Sequence, residues 1–361
     1  MPQLLTELCS IPTAPFAEDC VVAYVEQFVK ARRRLRLTRD EWGNLLIELK
    51  GRSRGPRWVF AAHMDHPGFV AKRMRDDHTV EADFRGGVLM DYVRRAKVRF
   101  FDGDREITGT VIEATSADRQ RPSYPDKAVV RVRGLVTPGS PGMFDQGTGR
   151  IRGKRFYSRV CDNLAGAAAA LTMLDELHRR PPRATVAVLL TRGEEDGFVG
   201  AIAAATQPRL LRKTDRLIVI ECSAEQPYAK QADGCIIRVG DRTSIFNSDL
   251  SYFITAQAQA LAKKDQSFKY QRALMPGGTC EATVYDVFGF AAASICVPLG
   301  NYHNMDRTKQ KIGPEYVHLD DWQNMVRLFT GIARTAHTWQ PGHQLLKTRL
   351  MKRFDARKRL L

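Results

Sequence analysis

The stretch ATVAVLLTRGEEDGFVGA, residues 184–201, places two adjacent glutamates shortly after an apolar run. A run such as ATVAVLL is typical of a strand that is buried on both faces, where an unpaired charge is costly. Adjacent carboxylates also repel each other, so Glu194 and Glu195 require compensation at this place. The stretch therefore predicts a buried strand that delivers two carboxylates to one edge of a sheet.

Other apolar segments of the chain also end in polar side chains that can bind metal ions. RWVFAA ends in His63 and Asp65, KRFYSRV in Asp162, RLIVI in Glu221, and ASICVPLGNY in His303. Taken singly, each has an ordinary explanation, such as a helix N-cap for Asp162 or a solvated face for the paired glutamates. Because sites in open α/β sheets form at the carboxyl ends of strands, we expect these side chains to converge on one metal site.

Strand and helix patterns alternate along most of the chain, which predicts an α/β fold with a mostly parallel sheet and helices on both faces. Between residues 74 and 155 the pattern changes to short, alternating, β-branched segments such as ITGTVIEA and KAVVRVRGLV. The predicted organisation is an α/β domain over 1–73 and 156–343, a small β-rich insert over 74–155, and a basic C-terminal tail over 344–361.

Composition narrows the class of protein. The seven cysteines are odd in number and form no CxxC pair, which predicts reduced thiols. The N-terminal residues lack a signal-peptide pattern, and no stretch of eighteen uncharged apolar residues occurs, so we expect a cytoplasmic protein without a membrane span. The net charge of +16 is spread along the chain without a nucleic-acid-binding motif, so we expect no nucleic-acid partner.

The densest basic cluster is KTRLMKRFDARKRLL, residues 347–361. Leu346, Leu350 and Phe354 have helical spacing, which predicts a terminal helix with one apolar stripe. A solvated helix is the simpler interpretation, and contact with another subunit or an acidic surface is the alternative.

The order of the metal-type residues resembles that of metallopeptidases with two zinc-type ions: His63 and Asp65, Asp162, Glu194 and Glu195, Glu221, His303. The long gap between Asp65 and Asp162 contains the β-rich insert, as in the family of glutamyl, deblocking and tetrahedral aminopeptidases. Further matching segments are the Gly43-Asn44 turn, AAHMDHPGFV, ITGTVIEA, EEDGFVGA and PGGTCEA. The resemblance implies a zinc-peptidase-type α/β/α catalytic domain.

The resemblance also implies a set of metal ligands for two divalent cations. Asp162 would bridge the cations, with His63 and Glu221 completing one site and Glu195 and His303 the other. Nitrogen and oxygen ligands favour Zn²⁺, with Co²⁺ as the alternative, over Mg²⁺. Three carboxylates against two dications leave one positive charge, which a bridging hydroxide would neutralise.

Roles in catalysis follow from the same resemblance. A metal-bridging water would be the nucleophile, and Glu194 would be the general base that takes its proton. Successive side chains on extended backbone point in opposite directions, so Glu195 can face a metal while Glu194 faces the water. Asp65 would accept a hydrogen bond from the far nitrogen of His63 and fix its tautomer.

The implied activity is that of an aminopeptidase that releases N-terminal residues from peptides. Members of the family assemble through the inserted domain, so a homo-oligomer, a dimer or a dodecamer, is expected. Two alternatives stay open: a related amidohydrolase, meaning a deacylase or carboxypeptidase, and a non-catalytic assembly or binding protein on the same fold.

The sequence departs from the family pattern at several positions around the substrate. Glu221 stands where many relatives have Asp, and Gly193 stands where Gln is usual. Cys280 and Glu281 stand where Asp-Ala is usual, and Cys280 is a candidate for contact with the substrate or a metal. The preferred N-terminal side chain therefore cannot be transferred from the family.

Overall fold

The computed structural model describes residues 3–52, 55–207 and 209–361. Within them the chain forms nine α-helices: α1 (Gln3–Leu8), α2 (Asp19–Lys30), α3 (Met90–Val93), α4 (Leu164–Arg179), α5 (Val199–Thr206), α6 (Ser248–Lys264), α7 (Glu281–Val287), α8 (Leu319–Thr335) and α9 (Gly342–Arg357).

The same residues form nineteen strands: β1 (Leu35–Arg39), β2 (Leu45–Leu49), β3 (Trp58–His63), β4 (Gly68–Asp76), β5 (Thr79–Arg85), β6 (Lys97–Asp102), β7 (Arg105–Thr115), β8 (Lys127–Val132), β9 (Pro141–Phe144), β10 (Arg150–Arg152), β11 (Arg155–Ser158), β12 (Val186–Thr191), β13 (Arg216–Ala224), β14 (Cys235–Gly240), β15 (Tyr270–Leu274), β16 (Ala291–Gly300), β17 (Met305–Asp306), β18 (Lys311–Ile312) and β19 (Glu315–His318). They make an eleven-stranded sheet, a closed six-stranded barrel and a small hairpin, β17–β18.

Four parallel strands form the centre of the main sheet, in the order β12, β3, β13, β16. The strands on both sides of them, β2 on one side and β19 and β11 on the other, pair antiparallel, so the sheet is mixed around the predicted parallel centre. The β1–β2 hairpin closes through Gly43, which has a φ of +89°, and so short a connection permits only antiparallel pairing.

Helices cover both faces of the sheet, as the apolar strand runs predict. Along β3, Trp58 and Phe60 lie in the core cluster that includes α4 and α8, whereas Val59 and Ala61 lie in the cluster that includes α5 and α7. This alternation follows from the two-residue period of a strand. Burial on both faces leaves the strand ends as the places where polar side chains reach solvent.

The predicted β-rich insert forms a closed barrel in the order β4-β5-β8-β7-β6-β9. Its interior is filled by phenylalanines, with Phe69 at 4.8 Å from Phe84 and 5.6 Å from Phe144 between ring centroids. Closure removes the unpaired strand edges that would otherwise invite aggregation.

The barrel strands run from Gly68 to Phe144, whereas the sequence pattern places the insert at 74–155. The first barrel strand begins with the apolar residues GFVA, which resemble the apolar residues of β3. The sequence pattern therefore does not show where the barrel begins. β10 and β11 have the short alternating texture of the barrel, but they pair with each other and with β19 in the main sheet. Both ends predicted from the sequence pattern therefore lie later in the chain than the ends of the barrel strands.

The C-terminal segment forms the predicted helix, α9, and its apolar stripe is largely uncovered. Leu350 is 58 % exposed and Phe354 is 49 % exposed. The start of α9 is held against α6, where His343 Nδ1 lies 2.8 Å from an Asp249 carboxylate oxygen. All seven cysteines are free thiols, as predicted. Among the described residues, no helix combines the length and apolar composition needed to cross a membrane.

A buried ion pair ties the amino ends of the central strands together. Arg57, just before β3, is 5 % exposed, and Asp215, just before β13, is 1 % exposed. Their closest atoms, Arg57 Nη2 and Asp215 Oδ2, are 2.5 Å apart, and Arg57 Nη1 also lies 3.1 Å from the half-buried Glu48 carboxylate.

We expect Asp215→Ala to lower the free energy of unfolding by about 3 kcal/mol, because it leaves a buried guanidinium without its main counter-charge. Glu48→Gln removes the partly exposed partner and should cost less than about 1 kcal/mol. Chemical denaturation of both variants measures the difference. Equal losses would contradict the assignment of Asp215 as the principal partner.

Candidate active site

Polar side chains from five segments meet at the carboxyl edge of the main sheet. β3, β12, β13 and β16 are parallel, and β11 runs in their direction because two antiparallel steps through β19 separate it from β16. The predicted residues that meet there are His63, Asp162, Glu194, Glu195, Glu221 and His303. The expected convergence is therefore present in the fold.

Asp162 lies between the two imidazoles. Its Oδ1 is 3.5 Å from His63 Nε2, and its Oδ2 is 3.8 Å from His303 Nε2. On the outer sides, Glu221 Oε2 is 3.9 Å from His63 Nε2 and Glu195 Oε1 is 3.1 Å from His303 Nε2. One carboxylate thus presents an oxygen to each half of the cluster, as a bridging ligand would.

Two groups of donor atoms are compact enough to hold an ion. Donor atoms of His63, Asp162 and Glu195 lie within 4.8 Å of one another, and so do those of His63, Glu194 and Glu221. Distance alone therefore does not separate Glu194, the predicted base, from the predicted ligands.

Two buried carboxylate oxygens of the cluster lack a hydrogen-bond partner among the described residues: Asp162 Oδ1 and Glu221 Oε1. Buried polar atoms are nearly always hydrogen-bonded, so such exceptions require another partner. Carboxylate oxygens and imidazole nitrogens are the donors that zinc-type cations take. The donor set therefore fits divalent cations of the zinc type.

The crowding of negative charge changes the proton affinities of the cluster. Burial raises the pKa of Asp162 to about 7, although His63 opposes the shift. Burial alone would lower the pKa of His303, but the neighbouring Glu195 carboxylate raises it to about 9. Burial also raises the pKa of Glu194 well above its usual range. In the absence of cations, the cluster therefore retains protons near neutral pH.

Glu315, which the sequence patterns do not single out, holds two of the converging segments in register. It is fully buried in β19. Its Oε2 accepts hydrogen bonds from the backbone N–H groups of Cys161 at 2.7 Å and Asp162 at 2.9 Å, and its Oε1 accepts from the N–H of His303 at 2.8 Å. A charged residue at the start of the short run EYVH is the only signal in the sequence that points to it.

Asp65 has a different principal contact from the predicted one. Its carboxylate oxygens accept hydrogen bonds from the N–H groups of Glu194 and Glu195, each at 3.0 Å. The Nδ1 atom of His63 lies 3.1 Å from the Asp65 carbonyl oxygen and 3.5 Å from its carboxylate. Asp65 therefore fixes the Glu-Glu turn through its side chain and meets the imidazole mainly through its backbone.

The N-terminal segment forms one wall beside the glutamate pair. Glu18 Oε1 accepts from the N–H of Gly193 at 3.0 Å, and Glu18 Oε2 accepts from Arg192 Nε at 2.6 Å. Gly193 has a φ of +59°, and a Cβ there would lie 2.3 Å from the Phe16 ring. The departure at Gly193 therefore has a steric cause, since glutamine would meet Phe16.

A cleft of about 760 Å³ opens beside the cluster. Arg238 lines it, is only 4 % exposed, and its Nε has no hydrogen-bond partner among the described residues. Cys280 also lines the cleft, but burial raises the pKa of its thiol well above the usual value, which disfavours a thiolate ligand. Glu281 lies behind the cleft and accepts a hydrogen bond from Thr191 Oγ1 at 2.6 Å.

Comparison with known proteins gives a match to one peptidase family and to several solved structures of similar fold. The family model for M42 glutamyl aminopeptidase matches residues 43–328. An aminopeptidase from the archaeon Desulfurococcus kamchatkensis is 22 % identical, with coverage of 92 % of this chain and 94 % of that chain and a TM-score of 0.76. The TET1 peptidase of Pyrococcus horikoshii is 21 % identical, with coverage of 92 % and 98 % and a TM-score of 0.75.

A third solved structure carries a different functional name. An endoglucanase from Thermotoga maritima is 18 % identical, with coverage of 92 % of this chain and 97 % of that chain and a TM-score of 0.68. At such identities the likeness shows a shared fold and no particular activity. The comparisons confirm the predicted fold class, an α/β domain with a small inserted domain.

We expect Glu315→Gln to weaken zinc binding by about 10- to 100-fold, because residues that orient ligands contribute to metal affinity on that scale. An amide would turn a donor toward at least one of the three backbone N–H groups. Competition with a chromogenic chelator measures the affinity, and circular dichroism monitors the fold. Glu41→Gln, an exposed glutamate, is the matched control, and equal affinities in a folded Glu315→Gln protein would refute the role.

The metal-free protein should lose stability as the pH rises from about 5 to about 8. Asp162 and Glu281 each have a pKa raised to about 7. The folded state therefore binds more protons than the unfolded one, and the stabilisation present below about pH 4 disappears as the pH passes the folded pKa values. Thermal unfolding after chelator treatment tests this. A midpoint that rises over this range, or one that zinc leaves equally pH-dependent, would contradict it.

Proposed function

This chain belongs to the M42 glutamyl aminopeptidase family, and on that premise we propose that it releases N-terminal residues from peptides by a two-metal mechanism with Glu194 as the general base. Family membership makes it a metal-dependent aminopeptidase. The observation that carries the finer proposal is the position of Asp162, with one oxygen toward His63 and the other toward His303.

Two divalent cations in this cluster, zinc or alternatively cobalt, would lower the pKa of a shared water and polarise the scissile carbonyl. His63 and Glu221 would hold one cation, Glu195 and His303 the other, and Asp162 both. Asp65 and Glu315 orient these ligands because they accept hydrogen bonds from backbone N–H groups of the ligand residues. Their contribution is to fix the ligands before substrate arrives.

Two observations support Glu194 as the general base. Its Oε2 lies 3.8 Å from His63 Nε2, so its carboxylate lies among the expected metal ligands. Its backbone N–H donates a hydrogen bond to the Asp65 carboxylate. Its raised pKa, caused by burial, suits a group that takes a proton from water and returns it to the leaving amine.

Assembly into a homo-oligomer, a dimer or a dodecamer, through the barrel is also part of the proposal. The Pyrococcus horikoshii peptidase of the same fold can assemble into a tetrahedron or a large octahedral shell. On this barrel, Ile112 is 51 % exposed and Leu135 is 55 % exposed, and exposed apolar residues of this size suit a subunit contact. A cytoplasmic location agrees with the seven free thiols.

One observation favours a second candidate, a deacylase or carboxypeptidase. The Nε atom of Arg238 in the cleft, which has no hydrogen-bond partner among the described residues, could donate to the free carboxylate that N-acyl amino acids and peptide C-termini carry. The third interpretation, a non-catalytic binding or assembly protein, is less well supported because all the expected donor residues are present and converge.

Replacement Glu194→Gln should lower kcat by at least about 100-fold, because the amide cannot accept the proton of the water. Metal content, measured by mass spectrometry on the native protein, should stay at two ions per chain. Glu41→Gln serves again as the control. A variant with full kcat would exclude Glu194 as the base, and one without metal would make it a ligand instead.

A substrate panel separates the first two candidates. Aminoacyl anilides and N-acyl amino acids are compared in kcat/KM with zinc or cobalt present. Hydrolysis of the anilides, with the N-acylated compounds inert, is expected, since an aminopeptidase requires a free α-amino group. The reverse preference would favour the deacylase.

A further inference from the structure

We propose that the substrate chain beyond the scissile bond lies in a basic groove beside the catalytic cleft, so that the enzyme prefers peptides with acidic side chains downstream of their N-terminal residue. This inference rests on the proposed aminopeptidase function. It concerns the part of the peptide that remains after cleavage, and it leaves the preference for the N-terminal residue itself open.

The groove is a separate depression of about 970 Å³ that adjoins the catalytic cleft. It lies between the β10–β11 hairpin, the β17–β18 hairpin and the α3 region of the barrel. Asn301, Thr308 and Tyr316 line both the groove and the cleft, so the two are continuous. A peptide held by its N-terminus in the cleft has this groove as a path for its following residues.

The lining of the groove is strongly positive. Eight Arg or Lys side chains and two Asp side chains line it, which leaves a net charge of +6. The two carboxylates are already engaged by local cations: Asp91 lies 3.7 Å from Arg94, and Asp306 lies 3.4 Å from Lys309. The remaining cations are therefore available to an anionic ligand.

Three of these cations share one face of the β10–β11 hairpin. Arg150 pairs across the strands with Tyr157, and Arg152 pairs directly with Arg155. Like charges placed opposite each other in a ladder are destabilising, and among the described residues no carboxylate forms an ion pair with any of these three guanidinium groups. An anion in the groove would relieve this repulsion.

Two residues of the groove have a positive φ, a backbone conformation that residues other than glycine rarely adopt. Arg95 has a φ of +62° and Gln310 has a φ of +50°, and both line the groove. Strained residues of this kind concentrate at functional sites. The strain lies on both sides of the groove, next to α3 and in the β17–β18 turn.

Charge complementarity and continuity with the cleft together identify the ligand as an acidic peptide. The downstream part of an N-terminal substrate is the chain that enters the groove when the amino end is in the cleft. A single-stranded RNA would satisfy the charge but not the continuity with a peptidase centre, so it is an outcome of the test.

The test compares Leu-Ala-Glu-Glu-Glu with Leu-Ala-Gln-Gln-Gln, so that the N-terminal residue is constant. At low ionic strength, kcat/KM for the acidic peptide should be about fivefold higher or more, and the ratio should fall toward one in about 0.5 M NaCl. The double variant R150Q/R152Q should lose at least about half of this preference while its rate on leucine anilide, which has no downstream residues, stays unchanged.

The double variant K352Q/R353Q on α9 removes the same charge from an exposed helix that does not line the groove. It should keep the preference for the acidic peptide. Equal kcat/KM for the two peptides, or equal effects of the two double variants, would overturn the proposal. The proposal would also be overturned if R150Q/R152Q lost binding of an RNA oligonucleotide but kept the preference for the acidic peptide.

Binding to a Glu194→Gln protein tests the groove independently of turnover. Fluorescence anisotropy with a labelled acidic peptide should give a lower Kd than with its glutamine counterpart, and R150Q/R152Q should reduce the ratio of the two Kd values by at least about half. If the wild type hydrolyses no peptide or anilide, the proposed function fails while this measurement still decides the groove. If hydrolysis proceeds and no Kd difference exists, the groove proposal fails alone.

Discussion

Burial of like charge at one edge of a sheet is the constraint on which the rest of this molecule depends. Four carboxylates and two imidazoles lie together beyond the ends of parallel strands. Around them lies a second set of carboxylates that accept hydrogen bonds from backbone N–H groups: Asp65, Glu315 and Glu18. The outer acids are stabilised by peptide dipoles, and the inner acids are left with free oxygens for cations.

Much of this arrangement is readable in the sequence because its causes are local. Apolar runs that end in polar residues predict the parallel centre, and the same rule predicts that His63, Asp162 and His303 meet. The barrel boundaries are less readable, since the first barrel strand is as apolar as β3. Glu315 could not be found in this way, because its importance depends on β19 lying between β16 and β11, and strand neighbours are not written in the periodicity.

The charge distribution has an orienting effect on a peptide. With two cations and a bridging hydroxide, the ligand set of the catalytic cluster would be close to neutral, so it would not repel the ammonium group of a free N-terminus. The neighbouring groove is positive and attracts carboxylates further along the chain. A peptide that enters with its ends exchanged would place its ammonium group near the positive groove, so the field of the groove opposes this direction. The overall net charge of +16 does not show where on the molecule the positive charge lies.

The bridging role of Glu315 bears on when this catalyst comes into being during its synthesis. Its carboxylate joins the turn that carries Asp162 to the one that carries His303, and it follows both in the chain. A polypeptide still emerging from the ribosome therefore has neither the last imidazole nor the residue that positions it. A product terminated before Glu315 would have an incomplete centre, so the newly made chain acquires the complete cluster only after Glu315 has been synthesised.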